Sequence, residues 1–457
     1  MASNPEINEL TKAPTKPPRV TIPGSSLPTD ILREIFANAG IPQRREGDDH
    51  QIIRRDAFHD VNWGWVCKSW RKEIMAASMP AFVTVVHPDE ETVREVESYL
   101  TYSGSRPLHV IVDQKGNTVS ENDGEYIVQI LKRLSAEGPR IHSIKIRISN
   151  IPEVSELITM APLIDLRRAE LYLEGWTEDK VRQIWSNVLS SPVIYALGFD
   201  ARFPREFSAA DTYLSRLTEV AITGSRPIGE IMSCLGFASR LVYLSTFAIR
   251  LGGDIARDVV HSNLRTLNIR AAKPELLLDR LTAPSLEMLD ILDETSLAPE
   301  QLLSSVKTFL VKSGSRLKVL ALEMDTFEEE DLIKTIFSDE PEVSSALANL
   351  VSLKVRGSVA RPCQITTSTI SKLTPITKAD AQGIHDVKFP HLNQLELALC
   401  KLTTVDFLPM IQSREAAGSP LSYVTAQLGK SSGAGFDTYT YNKEFKVVEE
   451  AAISQPS

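Results

Sequence analysis

Leu264-Arg265-Thr266-Leu267-Asn268-Ile269-Arg270 is followed, 22 residues on, by Leu286-Glu287-Met288-Leu289-Asp290-Ile291. Both stretches hold apolar residues at the first, fourth and sixth positions. The alternation at the end of each has the two-residue period of a strand, because successive side chains point to opposite faces. The same triplet recurs at Leu217/Val220/Ile222, Leu317/Leu320/Leu322, Leu350/Leu353/Val355 and Leu392/Leu395/Leu397. Looser copies stand at Ile141/Ile144/Ile146, Leu166/Ala169/Leu171, Ile194/Leu197/Phe199, Leu241/Leu244/Thr246 and Leu421/Val424/Ala426. First positions of neighbouring copies lie 22 to 42 residues apart, and the middle ones 22 to 24.

Helical stretches separate these strands, among them Pro299 to Lys312 and Glu328 to Phe337. Strands and helices alternating in one direction predict a parallel sheet and an α/β fold. The uneven period leaves two arrangements open, a stacked repeat array and a doubly wound sheet. A nucleotide-binding doubly wound domain needs a Gly-rich turn from strand to helix; Gly433-Ala434-Gly435 lacks the third glycine and the helix. Two similar segments, Ser103-Gly104-Ser105-Arg106-Pro107-Leu108 and Ser313-Gly314-Ser315-Arg316-Leu317, each follow a helical run and precede a strand. Glycine in that place is the expected left-handed helix cap. Gly224-Ser225-Arg226-Pro227 follows a strand instead and is a separate feature.

The triplet resembles the strand signature of leucine-rich repeats, whose usual length is ~20–29 residues. That resemblance implies an irregular solenoid with a parallel sheet over residues 83–430. In such a solenoid, side chains flanking the buried strand positions point to the concave face. Here these are Lys145, Arg147, Glu170, Tyr172, Asn268, Arg270, Asp290, Glu323, Lys354, Arg356 and Glu396. Each taken singly is a solvated strand residue; together they make a curved surface of mixed sign. Mixed charge sets partner choice more than raw affinity and suits a protein ligand. Glu328-Glu329-Glu330-Asp331 reads as an acidic helix start.

Two short segments near the beginning carry a different signal. In Leu27-Pro28-Thr29-Asp30-Ile31-Leu32-Arg33-Glu34-Ile35-Phe36, Pro28 suits the first turn of a helix, with Ser25 and Ser26 as candidate caps. Asp30 places negative charge where the helix dipole favours it. Ile31, Leu32, Ile35, Phe36 and Ala39 make one apolar stripe, and Gly40 and Pro42 are stop signals. In Val66-Cys67-Lys68-Ser69-Trp70-Arg71, Val66, Trp70 and Ile74 lie four apart, and Pro80 closes the run. Isolated helices of roughly 12–15 residues are marginal in water. The pair is therefore either a small helical cap on the next domain or a helix-in-groove docking element.

The two segments resemble the F-box, in which a Leu-Pro-x-Glu-Ile/Leu-Leu start is followed by Val-Cys-x-x-Trp-Arg. Asp30 stands where Glu is usual. Trp63-Gly64-Trp65 replaces two small aliphatics around a polar residue, and Gly64 in a helical pattern costs about 1 kcal/mol relative to Ala. A charged insert over 41–56 separates the halves, as in F-box-like proteins of the kind found in basidiomycete fungi. Ser-Gly-Ser-Arg-Pro-Leu before a strand also recurs in that group. The resemblance implies an F-box over 25–82 that binds the adaptor of an SCF-type ubiquitin ligase, and through it cullin. Leu27, Pro28, Ile31, Leu32, Ile35, Phe36, Val66, Cys67 and Trp70 would meet the adaptor, while the repeats hold a target protein. Two rivals stay open: a repeat scaffold with a drifted F-box, and an α/β hydrolase or transferase without a recognisable motif.

Composition sets the outer limits. The chain has 457 residues, 42% of them hydrophobic and 24% charged, with a net charge of −9. These values are ordinary for a globular protein, and the negative balance without a basic stripe argues against nucleic acid or an anionic membrane as partner. No apolar run approaches the ~18–20 residues of a membrane span, and no signal-peptide core is present. Cys67, Cys234, Cys363 and Cys400 show no metal-ligand spacing, and reduced thiols in an intracellular protein, cytoplasmic or nuclear, are expected. Asp48-Asp49-His50 lacks a second ligand cluster, so neither metal nor other cofactor is expected. No Gly-x-Ser-x-Gly, His-Glu-x-x-His or phosphate-loop motif occurs, which argues against an enzyme. Residues 1–24, with Pro14, Pro17, Pro18 and Pro23, read as a disordered arm, and 431–457 as a flexible or partly docked tail.

Overall fold

Leu267 sits opposite Leu244 on one neighbouring strand and Leu289 on the other; Ile269 sits opposite Thr246 and Ile291. The register continues through Leu320, Leu353, Leu395 and Val424 in one direction. In the other it runs through Val220, Leu197, Ala169 and Ile144. The fourth positions of the sequence triplets thus line up as one row across the sheet, and the sixth positions as a second. Both rows and all the first positions are buried. A slip of one residue would turn a whole row to the opposite face, so this burial fixes the register.

The computed structural model describes residues 81–453, apart from 86–87, 115–120, 150–161, 201–212, 251, 253–257, 272, 294–298, 315, 325–326, 358–364, 378–384, 401–403, 430–435 and 443–446. The two F-box segments, the arm over 1–24 and the insert over 41–56 lie outside the described residues. Residue contacts divide the chain into two units, Met1–Ala81 and Phe82–Ser457.

In chain order the strands are β1 (Ala81–Val85), β2 (Leu108–Asp113), β3 (Ile141–Ser149), β4 (Arg168–Glu174), β5 (Ala196–Phe199), β6 (Glu219–Pro227), β7 (Tyr243–Arg250), β8 (Val259–Val260), β9 (Thr266–Arg270) and β10 (Leu281–Thr282). They continue as β11 (Met288–Asp293), β12 (Val319–Met324), β13 (Ser352–Arg356), β14 (Ile376–Thr377), β15 (His385–Asp386), β16 (Gln394–Cys400), β17 (Tyr423–Gly429), β18 (Phe436–Asn442) and β19 (Val447–Ile453). One 15-stranded sheet holds all but β8, β10, β14 and β15, and its strands stand in strict chain order. Every neighbouring pair from β2 through β17 is parallel, whereas β18 and β19 add on antiparallel. The protein is therefore mixed α/β with a large parallel sheet. A doubly wound sheet reverses its strand order at a switch point; no reversal occurs among the described strands. Both β18 and β19 fall in the segment expected to be a loose or partly docked tail.

The helices are α1 (Glu90–Ser103), α2 (Glu121–Ala136), α3 (Glu178–Leu189), α4 (Ile228–Phe237), α5 (Glu275–Leu278), α6 (Pro299–Ser313), α7 (Glu329–Thr335), α8 (Pro341–Ala346), α9 (Thr367–Leu373) and α10 (Thr404–Ala416). Asp89 caps α1 by accepting the Thr92 amide at 2.7 Å, satisfying a donor the helix leaves open. Gly104 and Gly314 follow α1 and α6 with φ of 55° and 54°, a region where a side chain is strained. The buried stripes of the helices, such as Leu302, Leu303, Val306, Phe309 and Leu310 on α6, supply the other half of the core.

Two charged side chains tie distant segments of this layer together. Glu329, the second residue of the acidic run, takes amide and hydroxyl hydrogen bonds from Thr366 and Thr369 at 2.6–3.0 Å, so it holds the start of α9. Burial alone would raise its pKa; those four bonds outweigh burial and lower it. Arg414 on α10 is fully buried and donates to the carbonyls of Leu373, Lys388 and Phe389 and to Ser419 Oγ.

Candidate functional site

Alternation along each strand sends the fifth and seventh positions to the face opposite the buried rows. Every residue expected on a concave face lies there. In the fifth row Lys145 pairs with Glu170, Asn268 with Asp290, and Lys354 with Glu396. In the seventh row Arg147 pairs with Tyr172 and Glu323 with Arg356, while Arg270 stands opposite Leu292. The register gathers ten of the eleven side chains into three clusters, and Asp290 stands on β11 opposite Asn268.

The first cluster spans β2 to β4. Lys145 and Glu170 are only 9% and 2% exposed, with Lys145 Nζ 3.6 Å from Glu170 Oε2. Tyr172 brings its hydroxyl 3.5 Å from the same oxygen. Arg147 lies over the Tyr172 ring at 4.7 Å and 3.9 Å from Asp113. Burial first, and the Glu170 carboxylate second, raise the Tyr172 pKa, so the phenol stays protonated. Asp113 joins this group from β2, a strand the triplet pattern does not reach.

The second cluster lies on β7 and β9. Asn268 is 2% exposed and donates from Nδ2 to the Tyr243 hydroxyl at 3.1 Å. Arg270 stands 5.5 Å over the Phe247 ring. Neither Tyr243 nor Phe247 was expected at the site, since their roles depend on which strand lies beside them.

The third cluster is a charge network on β12, β13 and β16. Arg356 donates from Nε to Glu396 Oε1 at 2.8 Å and lies 3.6 Å from Glu323, and Lys354 is 3.9 Å from Glu396. Burial works against the Arg356 charge, but Glu396 and then Glu323 outweigh it and raise its pKa. Here the charges satisfy one another.

Other features of the described residues offer less chemistry. An open groove of about 950 Å³ beside α1 is lined by Asp89, Glu90, Glu91, Arg94, Glu95, Ser98, Tyr99 and Tyr126. It gathers carboxylates without a histidine or a thiol beside them. Cys234 is a free, buried thiol whose pKa burial pushes up to about 12. Among the described residues no group of three or more His, Cys, Asp and Glu side chains is arranged to hold a metal ion. No described helix is long and apolar enough to cross a membrane. The nine residues expected to meet a ligase adaptor, Leu27 through Trp70, lie outside the described residues.

The fold and this face define a mixed α/β protein that presents one polar, mixed-charge sheet surface. No protein-family model matches the chain, and no curated protein matches it.

Proposed function

We propose that this protein is the substrate-recognition subunit of an SCF-type E3 ubiquitin ligase. Its first part is an F-box that binds the ligase adaptor, and its second an irregular leucine-rich-repeat solenoid that holds a target protein. The reading rests on one combination: the Leu27-Pro28 and Val66 to Trp70 segments precede a sheet whose repeat triplets run in strict chain order. Such order gives each repeat only its neighbours to pack on, which is the logic of a solenoid.

The role needs no reacting group from this chain. A receptor accelerates transfer by raising the effective concentration of a target lysine near a charged conjugating enzyme. The sheet face suits that work, because paired charges of both signs select a partner by complementarity and penalise mismatched ones. The protein works inside the cell, in cytoplasm or nucleus, where the ligase is found. A second reading, a binding scaffold whose F-box no longer recruits the ligase, is favoured by Trp63-Gly64-Trp65 and the insert over 41–56. Co-purification separates them. The ligase subunit retains the adaptor and loses it in the Leu27→Ala/Trp70→Ala double variant; wild-type protein that never retains the adaptor is the scaffold.

A further inference from the structure

Between Glu170 on β4 and Asn268 on β9, the fifth row consists of Gly198, Ala221 and Ser245. Small residues alone make no site, but the side chains bounding this floor are unusual. Glu170 is 2% exposed, and while its Oε2 faces Lys145 and Tyr172, its Oε1 has no hydrogen-bond partner. Asn268 is equally buried, and its Oδ1 is also without a partner. Buried acceptors are nearly always paired, by protein or by ordered water. Two open ones bounding the same floor call for a donor; Thr425 Oγ1, farther along the row, and Asp113 Oδ1 on β2 are also without a hydrogen-bond partner.

Gly198 shows which way Glu170 leans. A Cβ at Gly198 would fall 2.8 Å from the Glu170 Cγ, so that methylene leans toward β5 at the edge of the floor, while Oε2 faces Lys145 of β3. A strand-interior glycine often marks where a ligand or another backbone comes close. The third cluster provides the contrast, since Arg356 already occupies the oxygens of Glu396 and Glu323.

We propose that this floor takes an extended segment of the target protein, whose N–H groups hydrogen-bond to Glu170 Oε1 and Asn268 Oδ1. The proposal rests on reading the sheet face as the target-binding surface. Asp113 and Glu170 balance Arg147 and Lys145, so the segment is uncharged where it crosses. Glu170 and Asn268 stand four strand spacings apart, about 19 Å, a span that about six extended residues cover. Beside Glu170, the Tyr172 hydroxyl makes a 3.5 Å contact at the outer limit of a hydrogen bond, and Arg147 lies over its ring. In this proposal the Glu170 side chain shifts on binding so that Oε1 meets the segment.

The test selects binders from a phage-displayed library of random eight-residue peptides on the full-length protein, then measures the affinity of synthetic copies. Glu170→Ala and Asn268→Ala are each expected to weaken the selected peptides by about tenfold or more. Lys354→Ala and Glu396→Ala should leave affinity within about twofold. Asn268→Ala, on a different strand, carries the test if Glu170→Ala does not fold, and unchanged affinity there overturns the proposal. Peptides that respond to Lys354 and Glu396 but not to Glu170 and Asn268 also overturn it, while leaving the face as the target-binding surface. Peptides indifferent to all four substitutions overturn both readings.

Discussion

The Cγ of Glu170 lies where a side chain on Gly198 would begin, 2.8 Å from the ideal Cβ position on the neighbouring strand. Glu170 and Gly198 are direct partners in the β4–β5 ladder, so neither can change alone without the other responding. Gly198→Ala is expected to destabilise the protein by about 1–3 kcal/mol through overpacking. In the Glu170→Ala/Gly198→Ala double variant the clash is gone. The pair should therefore be less destabilised than the sum of the two single variants by about 1 kcal/mol. Urea unfolding of the four proteins measures the coupling, and strict additivity would contradict the packing described.

Two residues of β12, three positions apart, should behave in opposite ways. Leu320 is fully buried in the fourth row, and Leu320→Ala is expected to cost about 2–5 kcal/mol. Glu323 faces outward, 3.6 Å from Arg356 with its side chain 44% exposed, and Glu323→Ala should cost under about 1 kcal/mol. Thermal melts of the two variants check the assignment of faces, and a reversed order would place the core on the wrong side of the sheet.

How much of this was legible in the sequence follows from what each signal depends on. The Leu264/Leu267/Ile269 type of triplet was readable because burial of three spaced positions leaves an apolar imprint within a single strand. The strand β2 escaped because its register shifts between Leu108 and His109. Leu108 sits opposite Ile141 while Val110 sits opposite Ile144, which shortens the first interval of the triplet by one residue. In β18, Thr438, Tyr439, Thr440 and Tyr441 carry strand preference without aliphatics, so this strand bears no aliphatic triplet. The face residues were found by alternation, but their chemistry was not. Glu170 beside Gly198, Asn268 against Tyr243 and Arg270 over Phe247 are relations between strands 25 to 28 residues apart or at the i, i+23 separation, and only the three-dimensional register sets them.

His109 gives the fold a pH dependence. It stacks on Phe82 at 4.8 Å, and burial, followed by the nearby His142, Arg168 and Arg167, lowers its pKa to about 4. The unfolded chain takes up this proton near pH 6.5 and the folded chain only near pH 4, so acid favours the unfolded state between those values. Stability should be fully present above about pH 6.5 and fall by on the order of 2 kcal/mol as pH drops through that window. His109→Phe keeps the stacking and removes the proton, so its stability should be flatter there. Urea titrations at pH 7, 5 and 4 compare the two, and parallel declines would contradict this role for His109.

Glu329 looked in the sequence like one of several acidic residues opening a helix, yet it holds α9 from 37 residues away. Glu329→Ala leaves the amides of Thr366 and Thr369 without this acceptor and is expected to cost about 1–3 kcal/mol. Hydrogen exchange should quicken first at Thr366 through Ile370, before global unfolding, and uniform quickening across the sheet would show that the contact is not local.

The central claim concerns recruitment to the ligase, and equilibrium binding between the purified full-length protein and the purified SCF adaptor tests it most directly. Wild-type protein is predicted to bind with a measurable Kd, and Leu27→Ala/Trp70→Ala to bind at least about tenfold more weakly, since burying two such side chains contributes more than 1.4 kcal/mol. Wild-type protein that shows no binding, or a double variant that binds as well as wild type, would contradict the account.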